Sequence, residues 1–215
     1  MSDPHTEPDL AQAALITIDV QCDTLDGGPL EIPGTSAALT PIARLAQAFR
    51  QANRPIVHVV RLYRNDASNV DLCRRRVVRE VGNMLAPGTA GSQLAAEILP
   101  APESRLDAEL LIAGEMQRLG PGEVAMYKPR WGAFYATPLH EHLRALEVNT
   151  LVFCGCNFPN CPRTSIYEAS ERDYRVVLAR DAVSGLYERG EHELEGIGVH
   201  LMLCDLLVTG LSDES

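Results

Sequence analysis

A short apolar, β-branched run that ends in a polar or charged residue, followed by a stretch with helical spacing, recurs along this chain. Ala14 to Asp19 reads ALITID, Pro55 to Arg61 reads PIVHVVR and Glu123 to Lys128 reads EVAMYK; Thr150 to Cys154 reads TLVFC and Arg175 to Ala179 reads RVVLA. Runs this short, apolar at successive positions, are strands buried on both faces, the pattern of a parallel sheet. Between the first two, Thr35 to Asn53 sets Leu39, Ile42, Leu45, Ala46 and Phe49 at helical spacing. Strand, helix and strand then make a βαβ unit with a right-handed crossover. Further helices are expected over 162–172, over 138–146, and as one last helix over 191–208. The expected fold class is α/β, a three-layer sandwich with helices on both faces of a mostly parallel sheet.

With 215 residues, 46% of them hydrophobic, the chain suffices for one domain with a substantial core. That domain is expected over 13–210, after a flexible tail at 1–12, with a long insertion-bearing crossover around 62–122 that holds an Arg-rich stretch and a Pro87-Gly88 turn. The net charge of −10 argues against nucleic acid and anionic membrane surfaces as partners and leaves a small molecule. Apolar runs such as His200 to Val208 are too short or too interrupted to span a bilayer, and the acidic, proline-containing start MSDPHTEPDL is unlike a secretory leader. A cytoplasmic protein is expected. Six cysteines without a CxxC pair read as reduced thiols rather than as a disulfide or zinc framework.

Asp19, Lys128 and Cys161 each fall just beyond an expected strand, so parallel strands bring the three to one edge, where open α/β sheets bind ligands. The turn GCNFPN leads into a helix with Cys161 at its N-cap and Pro162 at its start. A thiol at a helix N-terminus faces partial positive charge, which is expected to pull its pKa below the ordinary value. Backbone N–H groups of Asn157 and Cys161 in the same turn are placed to stabilise an oxyanion.

These residues resemble the isochorismatase-like cysteine hydrolases, the family of nicotinamidases and N-carbamoylsarcosine amidohydrolase. The carriers are IDVQ at 18–21, MYKPRWGAF at 126–134 and GCNFPNC at 155–161, and the likeness covers nearly the whole chain. The resemblance implies a six-stranded, mostly parallel sheet and a triad of Asp19 as general base, Lys128 as its electrostatic partner and Cys161 as nucleophile. It also implies a thioacyl-enzyme intermediate, a cis peptide between Cys156 and Asn157, and a dimer or tetramer. A cysteine at 161 points to amide-type C–N bonds rather than to the vinyl ether of isochorismate. Pro162 and Ser165 depart from the usual residues after the nucleophile, and RLYRNDASNVDLCRRR lacks the metal-binding aspartate and histidines of nicotinamidases. No metal or cofactor is therefore expected. The NFPNCPR turn is similar to that of streptothricin hydrolases, members that open a cyclic amide, and the acidic chain suits a cationic substrate.

Gln21, Arg61, Trp131 and Phe134 are the expected substrate contacts. The aromatic pair fits a pocket wall as well as a core or subunit contact. The basic stretch Arg61, Arg64, Arg74, Arg75, Arg76 and Arg79 fits a carboxylate, another subunit or a solvated helix face. His58, within a strand, reads as a satisfied core histidine. The alternative function is a non-catalytic binding protein or a thiol sensor built on Cys154, Cys156 and Cys161.

Overall fold

In the computed structural model, which describes residues 3–213, the strands are β1 (Ala13–Ile18), β2 (Ile56–Val60), β3 (Gln117–Gly120), β4 (Glu123–Tyr127), β5 (Thr150–Gly155), β6 (Arg175–Val183) and β7 (His200–Met202). They form one sheet in the order β3-β4-β2-β1-β5-β6-β7. Every pairing is parallel except β3 with β4. The helices are α1 (Thr35–Gln51), α2 (Arg75–Val81), α3 (Ala108–Ile112), α4 (Leu139–Ala145), α5 (Cys161–Ser170), α6 (Glu188–Glu195) and α7 (Cys204–Asp213).

The sheet has seven strands where six are expected. The two edge strands, which lie beyond the five apolar runs, are the ones with the weakest pattern. β3 (QRLG) is four residues, none fully buried, and folds back antiparallel onto β4. β7 (HLM) interrupts the segment expected to be one helix over 191–208. Leu194, Ile197 and Leu201 imitate helical spacing there, but Gly198 adopts φ +79, a conformation that ends a helix, and the chain continues as a strand.

Alternation along the strands feeds two apolar layers. Ala13 and Leu15 of β1 face one layer, with Ile42, Leu45 and Phe49 of α1 and Leu207 and Leu211 of α7. Ala14, Ile16 and Ile18 face the other, with Leu139 and Leu143 of α4 and Ile166 and Ala169 of α5. A third, smaller cluster of Tyr63, Ala67, Val70, Val78 and Leu85, with Leu30 against it, forms from the long crossover. The tail expected at 1–12 is tied down before the domain begins. Asp9 N–H donates to Thr150 Oγ1 at 3.1 Å, Asp9 Oδ2 accepts from Asn149, and Leu10 packs on the α1 layer. Residues 1 and 2 of that tail lie outside the described residues.

A polar group is buried at the start of β4. Arg50 donates through Nε and Nη2 to the Glu123 carboxylate (2.8 and 2.6 Å), His58 Nε2 lies 2.7 Å from Glu123 Oε1, and Thr17 Oγ1 lies 2.8 Å from His58 Nδ1. His58 is thus a satisfied core histidine, and every polar atom of its ring has a partner.

Candidate active site

The chain leaves β1 for β2 on one side and returns to β5 on the other, so the carboxyl ends of β1 and β5 form the switch point of the sheet. Asp19 follows β1 with φ +53, its N–H donating to Val59 and its carbonyl accepting from Thr24 Oγ1 and, at 3.1 Å, from the Cys156 thiol. Lys128 follows β4 and is anchored by its own N–H to Val60. Its side chain runs under the site, with no exposure at all, and Nζ donates to Asp19 Oδ2 at 2.9 Å. The other carboxylate oxygen, Oδ1, is buried and receives no hydrogen bond.

β5 ends at Gly155, with φ +114, and a Cβ there would collide with the backbone of Ile18 on β1. Only glycine permits this approach, and it brings the following turn over the Asp19 end of β1. The Cys156–Asn157 peptide is cis. Asn160 is the N-cap of α5 and Cys161 its first helical residue, one position further in than expected, because the helix begins one residue earlier and the turn is one residue shorter. Among the described residues, neither the Asn157 N–H nor the Cys161 N–H donates to another group of the chain. The helix does not win control of the thiol. Burial, then the Asp19 charge, push Cys161 up to about 11, and Lys128 and Arg61 only partly oppose them. At neutral pH the group beside Asp19 is a thiol, not a standing thiolate.

All six cysteines are free. Burial pushes Cys156 up to about 12 and raises Cys154 further, so both are protonated packing groups rather than reactive thiols.

A cavity of about 20 Å³ opens onto the Cys161 side, lined by Asp19, Thr24, Leu30, Ile32, Arg61, Tyr63, Arg74, Leu85, Cys156, Asn157, Asn160 and Cys161. Of the expected substrate contacts, Arg61 lines it and three do not. Gln21 is fully buried and spent: Nε2 donates to the Arg61 and Ser92 carbonyls, and Oε1 accepts from Arg61 N–H. Trp131 packs against the α4/α5 layer. Phe134 lies in the same layer, between the Tyr174 ring and the Arg172 guanidinium. Both aromatics follow Lys128 in sequence, but the chain turns away from the cavity toward α5, where Glu168 accepts from Phe134 N–H. The lining residues that the sequence does not single out are Thr24, Leu30, Ile32, Tyr63, Leu85 and Asn160, and Arg74 is singled out only as one of six arginines. The signal available for Arg74 was its place in the basic stretch, which does not say which arginine turns inward. Among the described residues no group of three or more His, Cys, Asp or Glu is arranged to hold a metal ion.

Residues 13–197 match the family model described as the isochorismatase domain. The chain is 29% identical over 187 residues to a ureidoacrylate amidohydrolase of Methylobacterium radiotolerans, covering 81% of this chain and 67% of that protein. It is 27% identical over 175 residues to a probable inactive nicotinamidase of Arabidopsis thaliana, covering 80% of each. Among solved structures, an isochorismatase family protein of Desulfovibrio vulgaris superposes with a TM-score of 0.78 at 28% identity, covering 94% of this chain and 98% of that one.

Proposed function

We propose that this chain, which belongs to the isochorismatase family, is a cysteine hydrolase that cleaves an amide-type C–N bond of a small molecule without a metal ion. The bond is that of a linear or cyclic amide, a carbamoyl group or a ureide. The observation that carries this reading is the division of labour on Asp19: Lys128 holds Oδ2, Oδ1 keeps its lone pairs free, and Asp19 shares the cavity with the Cys161 thiol and acts on it by its charge.

The steps follow from these positions. Because Cys161 is held as a thiol, its proton passes to Asp19 as sulfur attacks the carbonyl carbon, so no free thiolate accumulates. Lys128 keeps its proton and balances the carboxylate before transfer. The oxyanion lies against the unspent N–H groups of Asn157 and Cys161. Collapse of the tetrahedral adduct breaks the C–N bond, and Asp19 returns the proton to the departing amine, leaving a thioester on Cys161. Water, deprotonated by Asp19, attacks the thioester and releases the acid, and the proton goes back to the Cys161 sulfur.

The thiol-sensor alternative draws no support from Cys154 and Cys156, which are buried and held in the thiol form. A relative described as a probable inactive nicotinamidase shows why the reaction itself must be measured. The test is release of ammonia or amine from a panel of linear amides, lactams and ureides. Wild-type protein is expected to turn over at least one class, and Cys161→Ala to fall to background while unfolding at the wild-type temperature. Full turnover by Cys161→Ala overturns the proposal.

A further inference from the structure

The turn that leads to the nucleophile is gripped from outside, by the end of β6 and the start of α6. Phe153 of β5 pairs with Leu178 of β6, but Gly155 pairs with Val183, and the irregularity between these pairings brings the end of β6 round to the turn. There Ser184 bonds to the turn twice: its N–H donates to the Gly155 carbonyl at 3.0 Å, and its carbonyl accepts from Phe158 N–H at 2.8 Å. Ser184 is itself buried and its Oγ accepts from Thr35 Oγ1, which ties the grip to the start of α1. Two glycines complete it. At Gly185, with φ +73, a Cβ would collide with Asn157 Oδ1 and stand 3.2 Å from Pro159 Cδ. At Gly190, inside α6, a Cβ would stand 2.5 Å from the ring of Phe158, which is fully buried and packs edge-on against Tyr187. Both glycines thus press on the stretch from Asn157 to Pro159, which separates the Asn157 N–H from the Cys161 N–H.

We propose that Ser184, Gly185 and Gly190 are positioning residues: they set the separation and direction of the Asn157 and Cys161 N–H groups, and so govern attack on a carbonyl without touching the substrate. The proposal rests on the hydrolase reading above. A donor stabilises an oxyanion only if it already points to where the charge will form, and small misplacements of such a group are costly in rate. The first turn of α5 fixes the Cys161 N–H. Asn157 lies before the helix, so the grip from β6 and α6 supplies for its N–H what helical geometry supplies for that of Cys161. The two glycines are required for contact rather than for flexibility, since any side chain at either position would push on the turn.

The test separates carbonyl attack from the reactivity of the thiol. Iodoacetamide alkylates Cys161 by displacement of iodide at a saturated carbon and builds no oxyanion. Acylation by p-nitrophenyl acetate passes through a tetrahedral oxyanion before the ester C–O bond breaks and p-nitrophenolate leaves. Both products are read as mass added to the Cys161 peptide, and the ratio of acylation rate to alkylation rate is compared among variants. Gly190→Ala is expected to lower this ratio about tenfold and Gly185→Ala at least as far, partial losses against the roughly 10²–10³ that removal of one oxyanion donor costs. Alanine suits a helix better than glycine, so Gly190→Ala carries the test even where Gly185→Ala, strained by its φ, does not fold. Gly122→Ala is the control. Gly122 has φ +64, an added Cβ there meets nothing within 4 Å, and it lies at the opposite end of β4 from Lys128; its ratio is expected to match wild type. An unchanged ratio in Gly190→Ala, or an equal fall in Gly122→Ala, overturns the positioning role alone. A wild-type protein that is alkylated but not acylated sinks the hydrolase reading, and the positioning role with it.

Discussion

Asp19 and Lys128 sit at the ends of β1 and β4 and Cys161 at the start of α5, and behind them Ile16, Ile18, Val59 and Phe153 are closed from solvent. Leu30, Tyr63, Arg74 and Leu85 close the cavity from the other side, and they come from connecting segments gathered round a cluster of five buried residues. The cap also turns Leu72 (80% exposed) and Val81 (55% exposed) outward, which the strands behind the triad never do. The floor cannot change a residue without disturbing the sheet, whereas the cap can change which ligand enters.

The sharpest way to break this contrast is to remove the floor's buried cation. Lys128→Met leaves Asp19 charged, buried and unpaired. A loss of about 3–5 kcal/mol in stability is expected, together with a fall in kcat of roughly 10²–10⁴. Adding Asp19→Asn is expected to recover most of the stability and none of the activity. Urea unfolding and turnover of the same samples check both, and a Lys128→Met protein of wild-type stability would deny that the pair is part of the fold.

Beneath the floor, the Glu123 group makes a pH prediction. Burial raises a carboxyl pKa, but hydrogen bonds from Arg50 and His58 outweigh it and hold Glu123 down at about 2, against 4.5 for a free side chain. Its contribution is therefore complete above 4.5 and lost as pH falls through the folded value of about 2. Glu123→Gln is expected to cost about 3 kcal/mol at pH 7 and to flatten the acid limb of the stability profile. Chemical unfolding between pH 7 and pH 2 measures it; the same slope in both proteins would assign acid sensitivity elsewhere.

The same contrast explains what the sequence discloses. Strands buried on both faces announce themselves as continuous apolar runs; Asp19 and Lys128 lie directly after β1 and β4, and Cys161 follows β5 across the turn at 156–160, so β1, β4 and β5 and the meeting of these three residues are readable from pattern. β3 and β7 are not, since four- and three-residue edge strands lack a period. The cap is harder still. Tyr63 and Arg74 reach the cavity through a path with little regular structure, and nothing in the string of arginines distinguishes Arg74, which faces inward, from Arg76, which is exposed and pairs with Glu80 along the helix. Trp131 and Phe134 mislead for the opposite reason: adjacency to Lys128 in sequence suggests adjacency to the cavity, but the chain after β4 turns toward α5. Likewise the Cys161 helix position is legible, while its raised pKa depends on burial and on Asp19, which only the folded structure supplies.

Gln21 separates support from recognition more finely. It bridges the end of β1 to Arg61 and Ser92 with all of its polar atoms. Gln21→Leu is expected to cost about 1–3 kcal/mol by stranding buried backbone groups, with KM for a good substrate unchanged. Calorimetry alongside steady-state kinetics decides this, and a raised KM at unchanged stability would return Gln21 to the binding surface.

The smallest effect belongs to the cap's outer face. Leu72 lies two residues before Arg74 and is 80% exposed, so its apolar surface meets water in the isolated chain. Leu72→Ser is expected to move stability by less than about 0.5 kcal/mol, whereas an equally apolar residue of the floor, such as Ile16, is expected to cost about 2–5 kcal/mol on truncation to Ala. Unfolding curves at two protein concentrations make the comparison strict. A Leu72→Ser loss that appears only at the higher concentration would mean that this surface is covered by a second molecule, and the cap would then owe part of its order to a partner rather than to its own small core.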